Sequence, residues 1–262
     1  AVVLNIGGVI ETSSWKNRPD AILCAWQAGQ EGGNSVADVL SGKVNPSGKL
    51  TMTFPVRFQD AASSANFPLD GAMSSMDFAN MKEGDGSRRN WDYTDYEEDI
   101  FVGYRYFDSF GKEVSYPFGY GLSYTTFEYG QPSVDFANGV YKVNVEVRNS
   151  GNVAGREVVE LYAASPDSKA ADRPEKELKA FAKTPLLAAG ETCTVTLTLN
   201  AADLASFDTP SSSWVVAGGN WNFLVGASSR DIRSSVEVNV KASSSPAGDY
   251  FKSDKTLNLL TR

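Results

Sequence analysis

The stretch AILCAWQAGQEGGNSVADVLSG, residues 21–42, decides the fold class of the first part of the chain. Its first six residues form a continuous apolar run, which is typical of a parallel strand buried on both faces. Apolar side chains then recur at helical spacing over residues 36–40. Asn34 or Ser35 is the expected N-cap, and Gly42 the expected end, of this helix. The stretch therefore predicts a strand followed by a helix.

Two further strand patterns flank this unit. Residues 1–6 are a second continuous apolar run, and residues 46–55 form a turn that leads into a strand. The order strand–loop–strand–helix–strand is typical of a doubly wound α/β sheet. A typical sheet has about 4–6 strands, whereas this pattern supplies about three. We therefore expect the missing strands upstream of Ala1, so that residues 1–125 are the C-terminal part of an α/β sandwich domain.

The end of this first region is harder to assign. Residues 59–95 are long, polar and irregular, as is typical of functional or disordered loops. Two aromatic-rich stretches follow, IFVGYRYFD (residues 100–108) and EVSYPFGYGLSYTTFEY (residues 113–129). We expect both to be extended segments that close the first domain.

From about residue 126 the pattern changes to strict alternation. In YKVNVEVR, residues 141–148, apolar and polar side chains alternate, which predicts a strand with one buried face. About seven such strands, separated by turn residues, predict an antiparallel β-sandwich over residues 126–241. Six aromatic side chains are expected in its core: Tyr141, Tyr162, Phe181, Trp214, Trp221 and Phe223. Residues 242–262 form a tail that begins with a linker-like composition.

Composition excludes several classes of function. The net charge of −8 repels phosphate backbones, so we expect no nucleic-acid partner. No apolar run approaches the roughly 20 residues of a membrane helix, and we expect no membrane partner. The sequence has no histidine, which argues against Ser-His-Asp triads and most zinc sites. Cys24 and Cys193 are expected to be buried thiols. We expect no metal and no cofactor.

Three acidic sites are candidates for acid/base chemistry, and a surface role is the preferred interpretation of the first, Glu11 after the first strand. Glu31 follows the second strand, where α/β sheets bind ligands, but it is better placed to complement the dipole of the following helix. The acidic run Glu97, Glu98 and Asp99 could supply a carboxylate pair. Adjacent residues of a strand point to opposite faces, so a solvated strand start is the preferred interpretation. The glycines around Glu31 lack the spacing of a phosphate-binding loop.

Aromatic and polar residues are the candidates for substrate binding. Trp26, at the end of a buried strand, could form a platform for a sugar ring, although a core tryptophan is an equal alternative. Arg88, Asn90 and Trp91 lie in the long loop and could cover a polyol ligand by hydrogen bonds and stacking. The alternative for this group is a loop that Trp91 pins to the surface.

Several long segments resemble glycoside hydrolase family 3, the family of β-glucosidases and β-xylosidases. They are GGVIE (residues 7–11), the stretch from residue 21 to residue 55, VGYRYFD (residues 102–108) and YPFGYGLSYTTFEY (residues 116–129). In that family a (β/α)8 barrel precedes an α/β sandwich domain, and a fibronectin type III-like domain often follows. The resemblance implies that residues 126–241 are this immunoglobulin/fibronectin type III-like β-sandwich, supported by RPEKELKAF, LASFD and WNFLVGASSRDI (residues 173–181, 204–208 and 221–232).

The resemblance also implies a mechanism, namely retaining hydrolysis by an Asp nucleophile and a Glu acid/base whose carboxyl groups lie about 5–5.5 Å apart. Both carboxylates are expected outside this chain, so none of its residues is assigned a catalytic role. The implied function is the C-terminal portion of an exo-acting β-glycosidase, most simply a β-glucosidase. The alternative is a non-catalytic structural or carbohydrate-binding module.

The resemblance sets the expected partners as well. They are an oligosaccharide or glycoside substrate, the upstream barrel in the same precursor or in a separate chain, and a second copy in a homodimer. We expect a periplasmic or secreted protein, although the compartment is not readable from the sequence of this chain. The chain can be a fragment, a processed product or a subunit.

Overall fold

The computed structural model describes residues 1–65, 96–248 and 259–261 of the chain. Its first region begins with strands β1 (Val2–Leu4) and β2 (Ile22–Cys24), which pair in parallel with Val2 opposite Ile22. Helix α1 (Gly32–Leu40) follows. The helix starts earlier than the sequence predicts, because Glu31 rather than Asn34 or Ser35 occupies the N-cap position.

The second half of the first region combines a small antiparallel pair with a helix. Strand β3 (Phe54–Pro55) pairs with β4 (Val114–Tyr116), and helix α2 (Tyr104–Ser109) precedes β4. The prediction of an extended segment over residues 100–108 is therefore wrong. The aromatic residues Tyr104, Phe107 and Phe110 recur at a spacing of three, which places them on one side of a helix and buries Phe107.

The described residues of the first region form no closed core around its parallel strands. Helix α1 buries none of its residues, and Val3 on β1 is 42% exposed. Parallel strands are normally covered on both faces, since their βαβ connections place helices there. The faces of β1 and β2 are therefore only partly covered by the residues that the structure describes.

The second region is a β-sandwich. In one sheet, β7 (Val140–Asn149) pairs with β10 (Thr192–Asn200) on one side and with β5 (Phe127–Tyr129) and β6 (Ser133–Ala137) on the other. The other sheet has the order β14 (Asp231–Val240), β13 (Gly219–Ser228), β8 (Val158–Ala164), β9 (Glu177–Lys183). A small third sheet contains β11 (Ser206–Asp208), β12 (Ser213–Val216) and β15 (Ser243–Pro246).

The core of the sandwich lies between the two large sheets. Alternating residues of β7, including Val143 and Val145, face Leu161 of β8 and Phe223 of β13 within one buried cluster. Apolar burial of this kind contributes about 25 cal/mol for each Å² removed from water. Four of the six aromatic residues predicted for the core are buried. Tyr141, Trp221 and Phe223 belong to this cluster, whereas Tyr162 packs against Tyr104 of the first region.

Two core predictions in the sandwich are wrong. Phe181 is 68% exposed and Trp214 is 48% exposed. Phe181 lies on β9, at the edge of its sheet, and Trp214 lies on β12, outside the two large sheets. Alternation along a strand distinguishes two faces, but it does not show whether another sheet covers either of them. The fold class, an α/β part followed by a fibronectin type III-like β-sandwich, is nevertheless confirmed.

Charged and polar contacts join the two regions. The Asp108 carboxylate at the end of α2 is 5% exposed and accepts a bond from Arg230 Nε at 2.7 Å. Lys176 Nζ lies 3.1 Å from its other oxygen. The backbone N–H of Leu178 donates to the Tyr104 hydroxyl at 2.7 Å. Through these contacts α2 is anchored on the sandwich.

Candidate functional site

Trp26 is the one predicted substrate-binding residue that lies within the described part of the chain. It follows β2 by two residues and has a φ of +53°, in the left-handed region that side chains with a Cβ rarely adopt. Such backbone conformations persist where the surroundings hold them, and they cluster at functional sites. The Trp26 side chain is half-buried and lies just beyond the carboxyl end of a parallel strand.

Aromatic packing holds the Trp26 ring against the β3–β4 pair. Its centroid lies 6.1 Å from that of Phe54, which is almost fully buried and packs edge-on against Tyr116. The Lys16 ammonium lies 4.8 Å from the Tyr116 ring centroid and donates to the Ser115 carbonyl. These contacts connect the β2 end and the loop after β1 to the β3–β4 pair. We refer to these three elements together as the rim.

The loop after β1 is itself pinned by buried hydroxyl groups. Thr12 Oγ1 lies 2.6 Å from Ser115 Oγ on β4, and the Thr12 side chain is fully buried. Sequence reasoning gave this pair no role, because a threonine and a serine far apart in the chain carry no pattern of their own. Their contact fixes the loop that contains Glu11 beside the end of β2.

The carboxylates near this rim have structural partners. Glu11 accepts hydrogen bonds from the side chain and the backbone N–H of Ser14, and these bonds hold the pKa of Glu11 below its ordinary value. Glu31 Oε2 accepts a bond from Asn34 Nδ2 at 2.7 Å, in the first turn of α1. Its place at the N-cap fits the helix-dipole interpretation of the sequence. Neither contact indicates an acid/base group.

The other predicted binding residues, Arg88, Asn90 and Trp91, lie outside the described residues. Over residues 1–65, 96–248 and 259–261, no group of three or more cysteine, aspartate or glutamate side chains could hold a metal ion. Within the same ranges no helix has the length and apolarity needed to cross a membrane. Cys24 and Cys193 are both half-buried free thiols rather than fully buried ones, and burial raises the pKa of each.

A second group of functional interest lies at the junction between the two regions. The Glu160 carboxyl on β8 is 4% exposed and accepts a hydrogen bond from the Tyr162 hydroxyl at 2.6 Å. Burial raises the pKa of Glu160 to about 7. Nearby, Lys49 Nζ lies 2.9 Å from Glu157 Oε1. The sequence does not predict this cluster, because a single glutamate inside an apolar strand does not indicate which segment packs on its carboxyl group.

The chain matches two family profiles in sequence. Residues 1–124 match the glycosyl hydrolase family 3 C-terminal domain, and residues 157–229 match a fibronectin type III-like domain. The first segment includes β1 to β4 and both helices of the first region, and the second includes β8 to β13 of the sandwich.

Several similar proteins are β-glucosidases. The chain is 40% identical to β-glucosidase A of Butyrivibrio fibrisolvens, over 88% of its own length and 28% of the relative. It is 43% identical to thermostable β-glucosidase B of Acetivibrio thermocellus, over 91% of the chain and 29% of that protein. The structure of β-glucosidase 3B from Thermotoga neapolitana in complex with glucose superposes with a TM-score of 0.81 at 44% identity, covering 94% of this chain and 32% of that one.

The chain thus spans less than a third of the length of these relatives. The profile matches follow the chain in the order expected from the resemblance, first the α/β part and then the sandwich. The solved structure also superposes over nearly all of the chain. The chain belongs to glycoside hydrolase family 3, as a C-terminal portion that joins an α/β domain to a fibronectin type III-like domain.

Proposed function

We propose that this chain is the C-terminal portion of a retaining, exo-acting β-glucosidase that hydrolyses terminal β-linked glucosides. The catalytic Asp and Glu lie outside the chain, and the upstream (β/α)8 barrel, in the same precursor or a separate chain, supplies the nucleophile. The observation that carries the proposal is the identity of 40–44% to β-glucosidases over nearly the whole chain.

The packing of the first region supports this assignment. The described residues leave parallel strands with partly uncovered faces, and α1 without a buried residue. Apolar surface in that arrangement is suited to packing against further elements of an α/β domain. In the proposal the chain closes one side of the substrate pocket and braces the barrel, while it holds no catalytic pair of its own.

The test is activity of the full-length protein that contains this chain. We expect it to hydrolyse an aryl β-glucoside and to release the β-anomer of glucose first, as seen by proton NMR. The 262-residue chain alone is expected to show no turnover. Turnover by the chain alone would overturn the placement of the carboxylates, and release of the α-anomer would overturn the retaining mechanism.

The sugar preference needs its own comparison. Two other similar proteins, from Bifidobacterium breve and Bifidobacterium longum, are exo-α-(1→6)-L-arabinopyranosidases at 39% and 38% identity. Aryl β-glucoside, β-xyloside and α-L-arabinopyranoside should therefore be assayed side by side. We expect the highest kcat/KM on the glucoside, and a higher value on either of the other two would reassign the substrate.

Four residues are proposed to line the substrate side of this portion: Trp26, Arg88, Asn90 and Trp91. In the full-length enzyme, Trp91→Ala is expected to lower kcat/KM for an aryl β-glucoside about 10-fold, the loss of roughly one stacking contact. Trp214→Ala, at an exposed position of the sandwich, is the matched control and should leave turnover unchanged. Unchanged turnover in the Trp91 variant would show that the loop does not contribute to the substrate site.

A carbohydrate-binding module is the second candidate for the sandwich. Its support is the exposure of Phe136, Phe181 and Trp214. These residues lie on β6, β9 and β12, in three different sheets. We expect no retardation of residues 126–248 in a gel that contains soluble glucan, whereas clear retardation would favour this candidate.

A further inference from the structure

The junction between the two regions contains a buried acid, Glu160. A turn of the first region, residues 118–121, which we name the junction turn, lies directly on the Glu160 carboxyl. Gly119 has a φ of +80°, and a Cβ added there would overlap both carboxylate oxygens. Only a glycine can therefore bring the backbone this close to the acid.

The junction turn is fixed in this position by backbone hydrogen bonds from both sides. The Ser229 N–H, in the turn between β13 and β14, donates to the Phe118 carbonyl at 2.9 Å. The Gly119 N–H donates to the Leu50 carbonyl at 2.8 Å. The turn thus has little room to move away from Glu160 unless these bonds open.

The Glu160 carboxyl has no ion pair among the described residues, and its hydrogen-bond partner there is the Tyr162 hydroxyl. Lys49, the nearest cation that affects it, is engaged by Glu157 at 2.9 Å. A charged carboxylate in such surroundings lacks the compensation that buried charges require. The contact is therefore suited to the uncharged acid.

The balance of effects on Glu160 favours the uncharged acid. Burial is the largest effect and raises the pKa of Glu160, and the charge of Glu157 raises it as well, while the hydrogen bond from Tyr162 and the charge of Lys49 lower it. The balance of these effects raises the pKa from 4.5 to about 7. Burial also raises the pKa values of the tyrosines near the site, so they stay neutral through this pH range. The ionisable side chains around the acid are Tyr162 on β8, Glu157 just before β8, Lys49 before β3, Tyr129 on β5 and Tyr104 on α2.

We propose that Glu160 is a pH-sensitive latch between the two regions: the uncharged acid lets the junction turn seat on β8, and ionisation loosens that contact. The expected sign follows from the raised pKa. Below pH 4.5 the acid is protonated in both the seated and the loosened state. As the pH rises from 4.5 through about 7, the loosened state loses its proton first, so the seated state becomes less favoured.

The test is hydrogen exchange of the full chain, or of the longer protein that contains it, between pH 5.5 and pH 8.5. After correction for the intrinsic pH dependence of exchange, the protection of the Ser229 amide should fall about 30-fold over this range. The value follows from a shift of the Glu160 pKa from 4.5 to about 7. Amides in the interior of β7, remote from the junction, should keep constant protection.

Variants distinguish the latch from a general effect of pH. Glu160→Gln should remove the fall in protection at Ser229, whereas Tyr162→Phe, which deletes a bond to the charged form, should move its midpoint to higher pH. Glu146→Gln, on an exposed position of β7, should retain the wild-type profile. The proposal is overturned if Glu160→Gln keeps the wild-type fall, or if protection rises with pH. If the glutamine variant does not fold, an unshifted midpoint in Tyr162→Phe overturns it instead. None of these outcomes depends on glycosidase activity.

Discussion

The two regions of this chain differ in how completely they bury their apolar surface. In the sandwich, β7 and β8 each have a strand on both sides, and one buried cluster fills the space between their sheets. In the first region β1 and β2 are three residues long, pair only with each other within the described residues, and support a helix without a buried residue. An apolar run in the sequence therefore shows that a segment has apolar surface to bury. It does not show which other part of the protein covers that surface.

The largest effect is expected when the two regions are separated. Residues 126–248, which retain β15, should unfold cooperatively, with a free energy of unfolding of roughly 5–10 kcal/mol, because their core is closed. Residues 1–125 should show no cooperative transition, since their sheet has exposed edges and faces. Circular dichroism during thermal and urea unfolding measures both. A cooperative melt of residues 1–125 would break the comparison.

The next largest effect is expected from matched side-chain truncations, phenylalanine to alanine, in the two regions. Phe223 is fully buried and packs edge-on against Tyr141, with ring centroids 5.5 Å apart. Phe223→Ala should cost about 3–5 kcal/mol of unfolding free energy, through lost burial and a residual cavity. Phe58 in the first region is 56% exposed, so Phe58→Ala should cost less than about 1 kcal/mol. Urea unfolding of the full chain checks both values, and equal losses would contradict the difference in packing.

The smallest effect is expected from alanine substitutions of two glycines, one of which lies in the junction turn. Gly119 and Gly139 have similar positive φ angles, +80° and +77°. A Cβ at Gly139 meets open space, whereas one at Gly119 overlaps the Glu160 carboxyl. Gly139→Ala should cost about 1 kcal/mol for the backbone conformation alone, and Gly119→Ala about 1–2 kcal/mol more. Thermal unfolding measures both values. Equal losses of stability in the two variants would show that the junction turn can move away from the Glu160 carboxyl at no cost in free energy.

The sequence predicts the parts of this fold that repeat. Residues 141–148 alternate strictly, and β7 is the strand that this pattern predicts, with Tyr141, Val143, Val145 and Val147 in the core. The order of strands and helix in residues 1–42 is likewise recovered in β1, β2 and α1. These predictions succeed because hydrophobic periodicity reflects the secondary structure directly.

Other features have no such local signal. Residues 104–109 form a helix although aromatic residues favour strands, because their shared face packs on the sandwich. Phe181 fits the buried face of a strand but is exposed on the edge strand β9. The roles of Glu160 and Asp108 depend on residues about 40 to 120 positions away. Only the assembled chain shows them.

The contacts of Asp108 have a consequence for the order of folding. This carboxylate joins Arg230, which is 122 positions away along the chain, and Lys176, so that three distant segments meet at one group. Contacts between distant segments form slowly, because the entropy of closing the intervening loops must be lost first. Helix α2 is too short to be stable alone, and it gains this anchor only once the turn between β13 and β14 is in place. We therefore expect the chain to fold from its second region towards its first, opposite to the direction of synthesis.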